Sequence, residues 1–234
     1  SGKSALCITM IARMLRSNPS LVLAEDIDSD IKNAILKVAK IGHMTHDTFP
    51  QKTREGRLPS VRVNIPRANR PDYALYLDDV AGEAFDTNKI DSDSLNFLYN
   101  TTSLIFIIDP FTTKISRPGN KMRLWLDAHK QEIAPGYNIE DMFSMMRTRI
   151  NELNRLRQMT INFVLVKVDS GYMSQVDISD ESAIKYFLET ELNLGNILSN
   201  SDFKAEHFFA VTTMQEDDSV RRLNESILNQ QNVN

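Results

Sequence analysis

Cysteine is almost absent from this chain of 234 residues, which contains one, Cys7. A single cysteine excludes an internal disulfide framework and a cysteine-based zinc site. It favours a reducing compartment, for which we expect the cytoplasm. No apolar run approaches the roughly 20 residues that a membrane-spanning helix needs, so we expect no membrane partner. The sequence also lacks internal repeats and low-complexity segments, as expected of a folded globular chain.

A strong excess of charge of either sign is also missing. The sequence has 27 Lys and Arg against 31 Asp and Glu, which gives a net charge of −4. Such a surface offers no positive field for phosphates, so we expect no nucleic-acid partner. Apolar residues at 41% and charged residues at 25% exclude a disordered chain and a coiled coil. The length suits a single large domain that spans residues 1–234.

The order of helical and extended patterns predicts an α/β fold. Helical apolar spacing occurs at residues 4–16, 31–41, 92–99, 139–159, 182–194 and 218–228. Strand patterns occur at residues 60–65, 73–77, 104–108, 163–168 and 207–211. The first strand pattern alternates between apolar and polar residues, which predicts a half-buried strand near a sheet edge. The next three patterns are continuous apolar runs, which predict strands buried on both faces. We therefore expect a three-layer sandwich with a mostly parallel sheet and helices on both faces.

The chain begins with Ser-Gly-Lys-Ser, residues 1–4, directly before the first helical segment. This is the end of a phosphate loop, G-x-x-x-x-G-K-[ST], in which glycine lets the backbone approach the phosphates. Amide groups at the helix N-terminus would bind the anion, Lys3 would reach the β- and γ-phosphates, and the Ser4 hydroxyl would ligate Mg²⁺. The alternative interpretation is a lysine in an ordinary N-terminal turn.

Two acidic motifs follow strand patterns, at the strand ends where α/β folds bind ligands. Asp79, after residues 73–77, can hold Mg²⁺ through water, and the backbone N–H of Gly82 can reach a γ-phosphate. Asp169 can accept hydrogen bonds from N1 and N2 of guanine, and the stem of Lys167 can cover the base plane. The alternative in both places is an ordinary turn closed by an aspartate side chain.

The last strand pattern ends in Thr212 and Thr213, small polar residues that can contact a base. The succession of these motifs resembles the P-loop GTPases of the translation-factor and Ras-like clade, over almost the whole chain. Residues 79–83, Asp-Val-Ala-Gly-Glu, are especially similar to the third GTPase motif. The chain is most similar to bacterial double-GTPase families that accompany conflict or defence systems. This similarity lies in the motif at 79–83, the long polar loop at 42–59 and the extended region before Lys167.

The resemblance implies GTP or GDP and Mg²⁺ as cofactors, and a small-GTPase-like P-loop NTPase fold. Val166 departs from the family, which has Asn or Thr there, and this removes the side chain that ties the base loop to the phosphate loop. The nucleotide-binding residues implied are Gly2, Lys3, Ser4, Ala5, Asp79, Gly82, Lys167, Asp169, Thr212 and Thr213.

The resemblance also implies a Mg²⁺-binding threonine in the first switch loop, about residues 42–59. The candidates are Thr45, Thr48 and Thr53, and at least two of them are ordinary loop threonines. We favour Thr53 because it lies closest before the strand pattern at 60–65. The implied metal ligands are therefore Ser4, Thr53 and Asp79.

Glu83 stands where signalling GTPases carry a water-orienting Gln. A carboxylate there can position or deprotonate water, but it also repels the γ-phosphate. The implied catalytic residues are Glu83, Thr53 and Lys3. Arg54 and Arg57 can act in cis as an arginine finger, and exposed loop arginines are the alternative interpretation.

The favoured function is Mg²⁺-dependent GTP binding with slow hydrolysis, as a conformational switch read by other protein subunits or effector domains. The alternative is a catalytically idle GTPase-like scaffold that binds a partner protein, which Val166 and Glu83 favour. A third interpretation is an ATP-dependent P-loop enzyme, in which the Lys-x-Asp motif is a coincidence. The favoured interpretation requires Lys3, Asp79 and Asp169 to converge on the rim of one sheet.

The phosphate loop lacks its first glycine and the strand that should precede it, and the first residue is not Met. We therefore expect the protein to extend upstream, and a sheet without its first, central strand in this fragment. We also expect an insertion at about residues 110–160. Within it, the helical pattern at 139–159 predicts a solvated basic face, or a docking face, formed by Arg147, Arg149, Arg155 and Arg157.

Overall fold

The computed structural model describes residues 2–18, 20–25, 27–49, 61–65, 73–77, 98–99, 101–134, 136–199, 202–214 and 218–230. The helices are α1 (Gly2–Ser17), α2 (Ser29–Ile41), α3 (Asn120–Ala128), α4 (Ile139–Glu152), α5 (Glu181–Thr190), α6 (Gly195–Leu198) and α7 (Ser219–Gln230). The strands are β1 (Val22–Leu23), β2 (Val61–Ile65), β3 (Tyr73–Leu77), β4 (Ser103–Ile108), β5 (Thr113–Lys114), β6 (Tyr137–Asn138), β7 (Thr160–Val166) and β8 (Ala205–Val211). None of the helices within these ranges is long and apolar enough to cross a bilayer.

The chain divides into two compact units, and the α/β class predicted from the sequence is confirmed. The first unit comprises Ser1–Ala81 and Thr212–Ser226, and the second comprises Gly82–Val211 and Ile227–Asn234. The strands of the described ranges form a three-stranded sheet in each unit and a two-stranded sheet, β5–β6, in the second.

In the first unit, α1 is buried along most of its length. Every residue from Ser4 to Met14 is buried, because apolar side chains cover more than one face of the helix. The buried Arg13 donates from Nε to the carbonyl of Gly42, 3.3 Å away. This bond links α1 to the end of α2, against which α1 packs.

Helix α2 begins and ends at residues suited to these positions. The Asp28 carboxylate accepts a hydrogen bond from the Asp30 N–H at 3.0 Å and so caps the N-terminus. Gly42 has a φ of 98°, a left-handed conformation that favours glycine, and its N–H bonds to the Val38 carbonyl. The apolar stripe of α2 is buried and consists of Ile31, Ala34, Ile35 and Val38.

The sheet of the first unit is antiparallel, with the order β1-β2-β3. This differs from the mostly parallel sheet that the sequence predicts. The reason is the connection: residues 66–72 are too few for a parallel crossover, which needs about a dozen. The alternation predicted for residues 60–65 is confirmed, because Val61 and Val63 are buried and Arg62 is exposed.

The sheet of the second unit is parallel, with the order β4-β7-β8, as predicted. All seven residues of β7 are buried, and β7 is the central strand of this sheet. In β4 only Phe106 and Ile108 are buried, so the predicted burial on both faces is confirmed for β7 and wrong for β4. The side chains of β3 lie outside the described residues, as does most of the helix predicted at 92–99.

The core of the second unit is built around Phe163 of β7, which is fully buried. Its ring stacks on Phe208 at 5.4 Å and on Phe143 of α4 at 5.6 Å, measured between ring centroids. The ring of Phe106 meets it edge-on at 5.9 Å. Aromatic pairs of these geometries stabilise a core beyond the area that they bury.

The predicted helix at 139–159 is shorter than its pattern. Helix α4 ends at Glu152, Asn154 has a left-handed φ of 54°, and a separate 3₁₀ turn covers Leu156–Gln158. A left-handed residue cannot continue a right-handed helix. Residues 155 and 157 are therefore not on α4.

The arginines of this region do not form the predicted basic face. Arg149 is buried and pairs with Glu152 at 2.7 Å, and Arg147 pairs with Asp202. Arg155 donates to the Thr101 carbonyl at 3.0 Å. Three of the four predicted side chains thus have partners within the chain.

We predict that Phe163→Ala lowers the free energy of unfolding by about 3–5 kcal/mol, because it opens a cavity among three packed rings. Chemical denaturation followed by circular dichroism measures this value. Leu124→Ala is the control, since Leu124 lies in the same unit and is 69% exposed. We expect its effect to stay within about 0.5 kcal/mol. Equal effects of the two substitutions would contradict the central position of Phe163.

Candidate functional site

The carboxyl ends of β4, β7 and β8 meet at one edge of the parallel sheet. Ligands of α/β folds bind at this edge. Asp109 follows β4 directly, and Lys167 follows β7 directly. The edge therefore brings the predicted base-binding motif, Lys167 to Asp169, next to an acidic residue that the sequence reasoning did not select.

The segment from Lys167 to Gly171 forms a tight loop, called the base loop below after the predicted role of its motif. Lys167 has φ 60° and ψ 37°, a left-handed conformation that costs a non-glycine residue about 1–3 kcal/mol. Gly171 has φ 90°, and a 3₁₀ turn, Val168–Ser170, lies between them. Such backbone strain persists only where surrounding contacts impose it. The residues that contact Lys167 must therefore hold it in the left-handed conformation.

The ammonium of Lys167 is held by Asp109. Its Nζ lies 2.9 Å from Asp109 Oδ2 and 4.7 Å from the centre of the Phe111 ring. The Asp109 side chain is 9% exposed and that of Lys167 is 38% exposed. The other carboxylate oxygen, Oδ1, accepts from the Phe111 N–H at 3.1 Å. A buried carboxylate is destabilised unless charged or polar partners compensate its charge. The Lys167 ammonium and the Phe111 N–H are such partners for Asp109.

Trp125 of α3 packs over the same loop. Its indole Nε1–H donates to the Ser170 carbonyl at 3.1 Å. The His129 ring stacks on the indole at 4.2 Å, and Phe111 meets the indole edge-on at 5.1 Å. An aromatic cluster therefore covers the loop on the side of α3.

Tyr172, directly after the loop, bonds to Val166, directly before it. Its hydroxyl is buried and donates to the Val166 carbonyl at 2.8 Å. Burial raises the pKa of Tyr172 well above its ordinary value, and the negative charges of Asp109 and Asp169 raise it further. The phenol is therefore held in its neutral, donating form.

Asp169 lies in the base loop and is exposed. Its carboxylate makes no hydrogen bond or ion pair with any residue in the described ranges. A carboxylate so placed can accept two hydrogen bonds from a ligand with adjacent N–H donors. This is the chemistry that the sequence predicts for Asp169.

The phosphate-binding residues predicted from the sequence lie at the start of α1, in the first unit. Gly2 begins the helix, Lys3 is half-buried, and Ser4 and Ala5 are buried. The first backbone N–H groups of a helix have no partner within it, so this turn can bind an anion.

Thr212 and Thr213 also belong to the first unit and are buried. The Thr213 carbonyl accepts from the Met44 N–H at 2.7 Å, and the Thr212 N–H donates to Ser219 Oγ at 3.3 Å. The Thr212 hydroxyl has no hydrogen-bond partner within the described ranges. It is therefore a polar group that can serve a ligand.

The predicted convergence of Lys3, Asp79 and Asp169 stays a prediction. Asp79 lies outside the described residues, and Lys3 and Asp169 belong to different units. The other predicted residues that lie outside the described ranges are Thr53, Arg54, Arg57, Gly82 and Glu83.

The two other threonines predicted for a switch loop, Thr45 and Thr48, bond to each other. Thr48 Oγ1 accepts from the Thr45 N–H and donates to the Thr45 carbonyl, both at 2.8 Å. Thr48 is buried in this 3₁₀ turn, His46–Thr48. In the described ranges, no cluster of three or more His, Cys, Asp or Glu residues suits a metal ion.

Sequence reasoning missed Asp109, Trp125 and Tyr172. Asp109 carries the same signal as Asp79 and Asp169, an acidic residue directly after an apolar strand run, and that signal would have found it. Trp125 and Tyr172 carry no such signal, because their contacts with the base loop depend on how α3 and the loop pack.

Comparisons of the chain with protein-family models, with curated proteins and with solved structures give no match.

We predict that Tyr172→Phe lowers the free energy of unfolding by about 1–3 kcal/mol at pH 7, because it removes a buried hydrogen bond to the Val166 carbonyl. Tyr172 has a higher pKa in the folded chain than the roughly 10 of an unfolded tyrosine, so its contribution is complete below pH 10 and is lost as the pH rises further. The stability difference between wild type and variant should therefore shrink above about pH 10.

Urea denaturation of both proteins between pH 7 and pH 11 measures this difference. Tyr186→Phe is the matched control, because the Tyr186 side chain is 67% exposed. A Tyr172→Phe difference that stays constant across this range would contradict the buried neutral phenol.

Proposed function

We propose that this chain binds GTP and GDP with Mg²⁺ and hydrolyses GTP slowly, as a conformational switch read by other protein subunits. The observation that carries this proposal is the Asp169 carboxylate. It is exposed in the loop that follows a fully buried parallel strand and has no hydrogen bond or ion pair within the described ranges. Guanine presents adjacent N1–H and N2–H donors, which one carboxylate accepts together, whereas adenine does not.

The finer fold that we propose is the small-GTPase-like P-loop fold. The order of elements supports it: a helix that begins at Gly-Lys-Ser, an antiparallel β2–β3 pair, and then three parallel strands. Lys-x-Asp follows β7 and Thr-Thr follows β8, as the resemblance implies.

The phosphates would lie at the first turn of α1. Backbone N–H groups of this turn and the Lys3 ammonium would bind the β- and γ-phosphate oxygens. Ser4, Thr53 and Asp79 would hold Mg²⁺, and their hydroxyl and carboxylate oxygens are the donors that this ion prefers. When bound, Mg²⁺ neutralises charge on the phosphates.

Hydrolysis and switching would involve the residues around Glu83. Its carboxylate would orient the attacking water, and the γ-phosphate would order the segments around Thr53 and Gly82 until it is released. The resulting difference between the GTP and GDP states is what a partner protein would read.

A catalytically idle scaffold is the second candidate. Val166 is apolar and buried at the position where the family has a polar side chain, and this favours loss of function at the nucleotide site. Such a scaffold would bind nucleotide without turnover or bind none.

We predict that Asp169→Asn weakens GDP binding by about 100-fold, because two hydrogen bonds to a charged acceptor are lost or weakened. The asparagine amide can donate to the O2 of xanthine, so the variant should gain affinity for xanthosine diphosphate. Isothermal titration with both nucleotides measures these changes.

A gain for xanthine cannot result from partial unfolding, which makes this exchange of preference diagnostic. Asp141→Asn, an exposed substitution in the first turn of α4, should leave both affinities unchanged. Equal binding of ATP and GTP by the wild type would contradict the assignment of guanine.

We predict that Lys3→Ala abolishes phosphate release in a single-turnover assay, since the lysine charge on the β- and γ-phosphates is removed. The control is Lys37→Ala, an exposed substitution on α2 of the same unit. Wild-type chain that binds GTP but releases no phosphate would decide for the scaffold.

A further inference from the structure

Three side chains hold the base loop and the residue that precedes it, Val166. Asp109 holds the Lys167 ammonium at 2.9 Å, and Trp125 donates to the Ser170 carbonyl at 3.1 Å. Tyr172 donates to the Val166 carbonyl at 2.8 Å. These contacts involve residues before and after Asp169, so the turn that carries Asp169 is fixed on both sides.

The first position of the base motif contributes no side-chain hydrogen bond. The Val166 side chain is apolar and buried. Val166 takes part in the anchoring through its backbone carbonyl, which accepts the Tyr172 hydrogen bond. The anchoring of the loop therefore falls to residues outside the motif.

Asp109 is itself fixed by hydrogen bonds from the backbone. Its Oδ1 accepts from the Phe111 N–H, and its backbone carbonyl accepts from the N–H groups of Thr112 and Thr113 at 3.0 and 2.9 Å. Lys167 is its ion-pair partner in the part of the chain that the structure describes. A buried carboxylate fixed in this way restricts where the lysine ammonium can lie.

We propose that Asp109 is the positioning residue of the base loop: by holding Lys167 in its left-handed conformation, it keeps Asp169 in the place where it binds guanine. This inference rests on the proposed function. Asp109 thus takes the anchoring role that the absent polar side chain at position 166 would have.

The test uses Trp125, which is the single tryptophan of the chain and donates directly to the base loop. Its emission reports the loop with or without nucleotide. The wild-type chain is compared with Asp109→Asn, which is nearly isosteric and removes the charge that holds Lys167. Asp202→Asn is the matched control, because it removes an exposed ion pair with Arg147 in the same unit.

We expect Asp109→Asn to bind GDP at least about tenfold more weakly than wild type and to discriminate less between GDP and xanthosine diphosphate. We also expect a changed Trp125 emission in the absence of nucleotide. Asp202→Asn should match the wild type in all three measurements.

Unchanged GDP affinity in Asp109→Asn would overturn the positioning role, even with altered emission, because the ion pair would then be merely structural. The proposed function would stand in that case. Wild-type chain that binds no guanine nucleotide would instead overturn the proposed function, and the role of Asp109 with it.

If circular dichroism shows that Asp109→Asn does not fold, Lys167→Gln removes the same ion pair from its more exposed partner. The expected result is a changed Trp125 emission without nucleotide, a measurement that does not depend on the contact of Lys167 with the base. Wild-type emission in Lys167→Gln would overturn the inference.

Discussion

The parallel pairing of β4, β7 and β8 places a strong constraint on the second unit. Strand β7 is central in this sheet and buried at every residue. Its side chains must therefore pack in the core. Phe163 does this with three aromatic neighbours. Charged groups are excluded until the strand ends, so the chemistry of this unit is concentrated at the carboxyl edge of its sheet.

At that edge, one buried charge organises the rest. Asp109 is taken out of water by the fold, and the Lys167 ammonium and the Phe111 N–H are the groups that compensate it. The lysine adopts a left-handed conformation beside it. The result is a loop whose geometry does not depend on a side-chain hydrogen bond from Val166, and which leaves Asp169 open to solvent.

The elements of the fold were largely predictable, because periodicity and capping are local properties. The helices α1 and α2 follow their apolar spacing, and the Asp28 and Gly42 caps give α2 its ends. The boundary of α4 was not predictable from periodicity, since Asn154 ends the helix inside a continuing apolar pattern. The antiparallel pairing of β2 with β3 was open to prediction from the short connection at 66–72.

The sequence by itself determined the α/β class, the parallel strands of the second unit and the position of Lys-x-Asp directly beyond a buried strand, because these follow from local pattern and chain order. Only the tertiary structure decided that Asp109 pairs with Lys167. It also decided that Trp125 and Tyr172 donate hydrogen bonds to backbone carbonyls in and directly before the base loop. These contacts join residues up to 58 positions apart, from 109 to 167, and no local pattern specifies which distant side chain fills the space beside a loop.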